Sequence, residues 1–516
     1  MCGIFGFIGN RSAAPLLIEG LRRLESRGYD SSGIVVKNGS LQVHKKVGNV
    51  SELSKILPNH VEGCSGIAHT RWATHGGVTD ANAHPHTSND GKIALVHNGI
   101  INNAKGLRRR LEDRGFELKS ETDSEALVHM ISIGIDSGQT PLESVRETLR
   151  RVTGTWGLCV IFKEYDVIVC ARNGSPLILG KGEGESFVSS EPHTLTQYTR
   201  DHYILEDGDL AVITKDGIDI SRLEGGISAT SMTVFEDDWG EPDMAGYPHY
   251  MLKEIHEQPD AIRRCISGRL DPTNGSATLG GLKLEPIRLR TASHVRLIGC
   301  GTAYNACKIG QLAIESLARI PAMAHIASEF RYNDPVINPN AIHFAVSQSG
   351  ETADTLSAVK EIQLKGGDVH GIVNVVGSTI ARLCGKGVYI HSGPEQAVAS
   401  TKAFTNMVAS LLMFSLRIGR TRSFSRERGR SLIDDFERIP KQIESYLANP
   451  GPIQEAVELV KEAKSVLFLG RGVSAPVASE GALKLMEIAY LPCLAYPAGE
   501  MKHGPIALLE EGSPVI

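Results

Sequence analysis

The chain opens "MCGIFGFIGN", with a cysteine at position 2. Processing that removes Met1 ahead of a small residue would leave Cys2 with a thiol and a free α-amine. Their reference pKa values, about 8.5 and 7.7–8.0, are close enough for the amine to serve as general base to its own side chain. Taken alone, a cysteine beside the initiator is idle. Three polar segments give it company: "HTRWATHG" (69–76), "HNGIINN" (97–103) and "SETDSE" (120–125), each expected as a polar loop at a strand or helix edge. Arg71 offers a planar fork for a carboxylate. Asp123 can pair with an ammonium group. The Asn98 amide and the Gly99 N–H can aim two donors at a developing oxyanion. A small amino-acid substrate needs all of these.

A second constellation lies further along. "VSQSGETADT" (346–355) runs from an apolar strand through a hydroxyl-rich loop into a helix expected to start near Ala353. Ser347, Gln348, Ser349 and Thr352 therefore sit where backbone N–H groups and a positive helix end attract an anion, and three hydroxyls exceed what an N-cap needs. "ASTKAF" (399–404) repeats the pattern. In "SEGALKLMEIAY" (479–490), Glu480, Lys484 and Glu487 form one stripe of a helix whose other residues are apolar, as in a buried helix. The histidines of "NAHPH" (82–86) have no cysteine or carboxylate at ligand spacing and read as loop histidines, not a metal site. "GRGVSA" (470–475) fits a dinucleotide fingerprint, but no acidic residue ends the following strand, so nicotinamide binding is not expected.

Two textures of sequence must position these groups. Up to about residue 240, short β-type runs such as "CGIFGFIG", "CSGIAHTRW", "KIALVHNGII" and "GLCVIFKE" alternate with Gly, Asn and Asp, and helices are expected near 12–25, 103–114 and 123–137. That is an α+β domain with antiparallel sheet. Residues 236–260 are acidic, aromatic and proline-bearing, a linker leading into a helix. From about 290, continuous apolar strands alternate with helices, as in a parallel α/β sheet. Residues 295–330 and 466–501 align without a gap at an offset of 171, with ten of 36 positions identical. Average composition gives about one match in 16, so two copies of one α/β unit are expected. The second copy would be incomplete, with "SPVI" at 513–516 the start of a cut-short strand.

Composition narrows the partners. A formal charge of -5 over 516 residues, without basic clusters, argues against nucleic acid and anionic membrane. The most apolar stretch, 406–418, is too short to span a bilayer, and no secretory leader is evident. Nine cysteines without CxxC pairs suit a reducing cytoplasm.

With these segments in order, the chain resembles the glutamine amidotransferases of the N-terminal-nucleophile type. The duplicated α/β unit narrows the resemblance to the isomerizing glutamine:fructose-6-phosphate aminotransferase family, makers of glucosamine 6-phosphate. "RRLESRGYDSSG", "GIAHTRWATHG", "VHNGIINN", "ETDSEAL", "SQSGETADT", "ASTKAF", "EGALKLMEIAY" and "GEMKHGP" carry it. The resemblance implies an N-terminal-nucleophile glutaminase domain over 2–240, a linker and helix over 241–285, and sugar-isomerase domains over 286–450 and 455–516. It implies that Cys2 attacks L-glutamine, that Asn98 and Gly99 hold the oxyanion, and that Arg71, Trp72, His75 and Asp123 bind the amino acid. It places fructose 6-phosphate on Thr302, Ser347, Gln348, Ser349, Thr352, Val398 and Ser400. His503 would open the ring, and Glu487, with Lys484 and Glu480 beside it, would move the proton. No cofactor or metal is implied. A homodimer is, with residues exchanged near the sugar site. The family's Schiff-base lysine lies in a C-terminal tail beyond residue 516, so this chain is expected to hydrolyse glutamine but form little amino sugar. Two rival readings are a glutaminase feeding another acceptor and a sugar-phosphate-sensing regulator. Glutamate release by wild type and Cys2→Ala, with and without fructose 6-phosphate, separates the three.

Overall fold

The computed structural model describes residues 2–25, 28–58, 60–72, 76–234 and 244–516. They divide into two compact units, with the boundary between residues 242 and 243.

In the first unit two antiparallel sheets lie face to face. Gly3–Ile8 is interior to an eight-stranded sheet, flanked by Glu185–Ser189 and Ser65–Arg71, and Ser31–Asn38 pairs on the far side of Ser65–Arg71. In the six-stranded sheet, Ile93–Ile101 lies between His86–Thr87 and Gly154–Phe162. Alternation of side chains along a strand decides which residues meet. Ile4, Ile8, Val35 and Ile67 of one sheet pack on Ala94, Val96, Cys159 and Ile161 of the other. Phe5 and Phe7 point the opposite way, under the Ala13–Leu24 helix. Leu95, Leu158 and Val160 pack under the Ala104–Glu112, Glu125–Asp136 and Pro141–Leu149 helices. The result is four layers, helix, sheet, sheet, helix.

The glycine after Cys2 is there for close approach. A Cβ on Gly3 would lie 2.7 Å from both Leu24 Cβ and Thr70 Oγ1. The first helix thereby seats directly over the start of the chain.

In the second unit a five-stranded parallel sheet runs in the spatial order Ala322–Ile326, Val295–Gly299, Ile342–Ser347, Val369–Val373, Gly387–Tyr389. Leu297, Phe344 and Val346 pack with Ala306, Ile314, Met407 and Phe414 on one face, while Ile298, Ala345 and Val373 pack with Leu356, Val359 and Ile380 on the other. Helices cover both faces, as the continuous apolar strands require. The repeat is structural. Val295 pairs with Ala322 in one copy, and Val466 pairs with Cys493 in the other, the same two positions at an offset of 171. Val515 then begins a parallel bridge to Leu467.

One expectation needs correcting. The apolar helix Ser474–Ala489 is not enclosed: only Pro476, Glu480 and Ala482 are buried, and Met486 and Ile488 remain 44% and 45% exposed. It packs on its own two strands and on the Thr302–Ala318 helix, and no second layer among the described residues covers its outer face. Of the expected linker, residues 235–243 lie outside the described residues, and the helix it leads to is Tyr250–His256.

Candidate active sites

The interior between the two sheets of the first unit is apolar until its mouth, where the alternating pattern brings polar groups together. Cys2 precedes Ile4 by two residues, His69 and Arg71 follow Ile67, and Asn98 follows Val96, so all four continue faces that point between the sheets. The Asn98 Nδ2 donates to the Cys2 carbonyl at 3.0 Å. The Trp72 N–H donates to the Cys2 Sγ at 3.2 Å. Burial pushes the Cys2 thiol up, and the Trp72 hydrogen bond and the nearby Arg71 charge only partly offset it. The sulfur is thus held as a thiol, and a base must take its proton before it can attack.

Asn98 and Gly99 were expected on a loop, yet both lie in the strand Ile93–Ile101, where Asn98 pairs with Gly157 and Gly99 with Trp156. The Asn98 side chain is directed inward, not to solvent, because partners await it there. Gly99 has φ +139, and a Cβ would lie 2.2 Å from the Thr155 carbonyl oxygen, so only glycine fits. The Asn98 Oδ1 faces His69 Nε2 at 2.9 Å, and the same nitrogen lies 3.2 Å from the His97 carbonyl. Both neighbours accept, so His69 Nε2 carries the proton and fixes which end of the Asn98 amide faces Cys2.

His69 is one of a buried row of imidazoles, tilted and edge-on to one another. Ring centroids lie 4.2 Å apart for His69–His84 and 4.5 Å for His84–His86. Desolvation lowers the His69 pKa to about 3, so the ring is neutral at ordinary pH. Lys45 caps the segment behind, donating to the carbonyls of Ala81, Ala83 and Pro85. Among the described residues no three or more His, Cys, Asp or Glu are placed to hold a metal ion.

Arg71 is buried and donates to the carbonyls of Gly76 and Gly77 at 3.2 and 3.1 Å, holding the adjoining loop. The Asp123 Oδ2 accepts from the Ile101 N–H at 2.7 Å, so the carboxylate is tied to the strand that carries Asn98 and Gly99. Trp72 makes an edge-on contact with Tyr29, with centroids 5.4 Å apart. His75 lies outside the described residues. His69 and its link to Asn98 escaped the sequence reading, although the spacing of Ile67, His69 and Arg71 marks one strand face.

In the second unit the strand order reverses between Val295–Gly299 and Ile342–Ser347, and at such a switch point a crevice opens beyond the carboxyl ends of the strands. The segments singled out from the sequence converge there. Ser347 Oγ accepts from the Gly350 N–H at 3.0 Å and lies 3.0 Å from Thr352 Oγ1, and Ser349 Oγ accepts from the Glu351 N–H at 3.2 Å. These hydroxyls fold the loop over the start of the Ala353–Leu364 helix, whose first N–H groups have no intrahelical acceptor. Gln348 is half-buried in the same loop, and its carbonyl accepts from the Asn374 N–H. Gly350 has φ +67 and sits where a Cβ would meet Ser378 Oγ at 2.0 Å.

Thr302 begins the helix on the other side of the crevice and joins the two repeats. Its hydroxyl donates to Glu480 Oε1 at 2.9 Å and accepts from Lys484 Nζ at 3.0 Å. Asn305 Nδ2 donates to Glu480 Oε2 at 2.8 Å, a partner the sequence did not suggest. Lys484 also reaches Glu487 at 2.9 Å and Glu480 at 3.5 Å. Val398 and Ser400 lie on the segment before the Lys402–Arg420 helix, where Ser400 Oγ donates to Glu395. His503 is exposed, and no hydrogen bond or ion pair of its ring to Glu487 or Lys484 occurs among the described residues.

Comparison with known proteins agrees with this division. A glutamine amidotransferase domain matches residues 69–197, and a SIS domain matches residues 288–417 and 459–516. The chain is 45% identical over 525 residues to the isomerizing glutamine–fructose-6-phosphate aminotransferase of Chlorobaculum tepidum, covering all of this chain and 85% of that one. It is 44% identical over 521 residues to the enzyme of the same name from Thermus thermophilus, with the same coverage. Among solved structures, the C-terminal domain of glucosamine-fructose-6-phosphate aminotransferase from Francisella tularensis is similar over 53% of this chain and 77% of that one, at 36% identity and a TM-score of 0.51.

Proposed function

The chain belongs to the isomerizing glutamine–fructose-6-phosphate aminotransferases, and from that premise we infer that its reaction moves the amide nitrogen of L-glutamine to fructose 6-phosphate, giving glutamate and glucosamine 6-phosphate. Cys2 is the nucleophile. Its α-amine, freed by loss of Met1, takes the thiol proton and passes it to the leaving nitrogen as the C–S bond forms and the C–N bond breaks. Water then cleaves the thioester, which restores the thiol and releases glutamate. Asn98 Nδ2 and the Gly99 N–H hold the oxyanion in both steps. Arg71, Trp72, His75 and Asp123 hold the amino-acid end.

At the second site, the loop of Ser347, Gln348, Ser349 and Thr352, with Thr302, Val398 and Ser400, takes the sugar phosphate. His503 opens the ring. Glu487 removes a proton from C1 of the imine and returns one to C2, and the Lys484 ammonium between Glu480 and Glu487 sets their charge balance. No cofactor takes part. The active form is a homodimer with residues exchanged near the sugar site, as the family resemblance implies. Nine free thiols suit a cytoplasmic protein.

The observation that carries the first half is the Asn98 amide held at the thiol-bearing residue by a neutral, buried His69. Glutamate release is the test. Fructose 6-phosphate raises it in wild type, glucose 1-phosphate does not, and Cys2→Ala abolishes it. Release indifferent to the sugar phosphate, or surviving in Cys2→Ala, refutes the reading.

A further inference from the structure

The segment between the Gly387–Tyr389 strand and the Lys402–Arg420 helix contains no regular structure, yet it carries Val398 and Ser400. A chain in this state keeps one conformation only if its backbone groups are tied elsewhere. Its first part is tied by Asn374, which bonds the Ser392 N–H and the Gly393 carbonyl, and by Arg264, which bonds the carbonyls of His391 and Ser392. Its last part is tied by Glu395, which accepts from the Thr401 and Ala403 N–H groups and the Ser400 hydroxyl.

The middle is held from outside. Glu254, on the Tyr250–His256 helix, is 2% exposed and accepts from the Gln396 N–H at 2.5 Å and the Ala397 N–H at 3.1 Å. We propose that Glu254 is a positioning residue for sugar-phosphate binding: its carboxylate fixes the 396–397 backbone and so presents Val398 and Ser400 to fructose 6-phosphate, more firmly when ionised than when protonated. The proposal rests on the sugar-site reading above.

The neighbourhood makes that ionisation responsive. Burial, then the Glu395 carboxylate, raise the Glu254 pKa to about 7, against the two backbone N–H groups and the Lys402 ammonium. Lys402 is itself buried and paired with Glu257 at 2.5 Å, and Glu257 is shared with Lys253 at 3.4 Å. Glu254 therefore loses its charge as the pH falls through 7. With it goes the charge of the anchor: Oε1 accepts from both N–H groups and Oε2 from Ala397 alone at 3.3 Å, so a proton on Oε2 ends that second contact and leaves the Oε1 bonds uncharged and weaker.

Calorimetric titration with fructose 6-phosphate at pH 8 and pH 6 tests this on the 516-residue chain, using wild type, Glu254→Gln and Ser347→Ala. The ligand's own phosphate titrates near pH 6 in every variant, so the informative quantity is a ratio of dissociation constants. Glu254→Gln binds about tenfold more weakly than wild type at pH 8, the loss expected of one charge-assisted hydrogen bond, and the ratio falls toward one at pH 6, where wild type has lost the same charge. A ratio near one at pH 8, or one that does not change with pH, overturns the proposal. If Glu254→Gln does not fold, amide exchange of residues 394–401 in wild type decides: protection corrected for intrinsic rates drops between pH 8 and pH 6, and constant protection overturns the proposal. Unchanged binding by Ser347→Ala would instead refute the sugar-site reading.

Discussion

Replacing His69 should slow glutamine hydrolysis without weakening glutamine binding. The imidazole bonds the Asn98 side chain and the His97 carbonyl, one step removed from the thiol. It donates to Asn98 Oδ1 at 2.9 Å, and Asn98 Nδ2 in turn lies 3.0 Å from the Cys2 carbonyl. Without that donor only the bond to the Cys2 carbonyl keeps the amide nitrogen toward the nucleophile, and an orientation presenting oxygen repels the developing oxyanion. Loss of one oxyanion donor costs about 100- to 1000-fold in kcat. Acting through Asn98, His69→Leu loses a share of this, about 10- to 100-fold. His69→Gln, which places an N–H near the Nε2 position, keeps most of the rate. The assay is steady-state glutamate release by both variants and by Asn98→Ala, alone and combined with His69→Leu. In the Asn98→Ala background His69→Leu has no further effect on kcat, because the group it orients is gone. An equal loss in both backgrounds would mean that His69 serves only the packing of the fold, and the orienting role would be refuted.

Other outcomes follow from the same geometry. Glu480→Ala leaves the buried Asn305 amide without its acceptor and the Lys484 ammonium without one of its two carboxylates, and should lower the stability of the second unit by about 3 kcal/mol in thermal unfolding. A loss under about 1 kcal/mol would contradict the view that Glu480 pins the two repeats together. Gly350→Ala pushes a Cβ into Ser378 Oγ at 2.0 Å from a left-handed backbone position, and calorimetry should show markedly weaker fructose 6-phosphate binding with glutamate release retained. Acid should destabilise the first unit below pH 6.5. His69 stays neutral when folded, with its pKa lowered to about 3, but takes a proton when unfolded near 6.5, so its contribution is present above that pH and is lost as the pH falls. At pH 5 that loss is about 2 kcal/mol from His69 alone, and His84, His86 and His97 add to it in the same direction. Urea midpoints that hold constant from pH 7 to pH 5 would contradict this.

The residues readable from sequence were those whose pattern is local. The short β-type runs around Ile4 and Ile67 mark strands, and the offset of 171 marks a repeat whose strand pairs match residue for residue. The loop from Ser347 to Thr352 and the helix at Ala353 follow from one strand-to-helix turn. What the sequence hid depends on pairs far apart in the chain. Asn98 looks like a loop residue until His69 is found opposite it, for only a buried partner makes a polar strand position tolerable. Glu480 stands out in the sequence as one of a charged stripe, but its partners Thr302 and Asn305 in the other repeat do not show there. Glu254 acquires a role only through two backbone amides more than a hundred residues away.

The central claim is that residue 2 does the chemistry from a freed amino terminus, and covalent trapping tests it most directly. An electrophilic glutamine analogue, followed by intact mass and peptide mapping, should give one adduct per chain, on Cys2, in protein lacking Met1, with glutamate release lost in step. A fully active chain that retains Met1, or inactivation with the adduct on any other residue, would contradict the account.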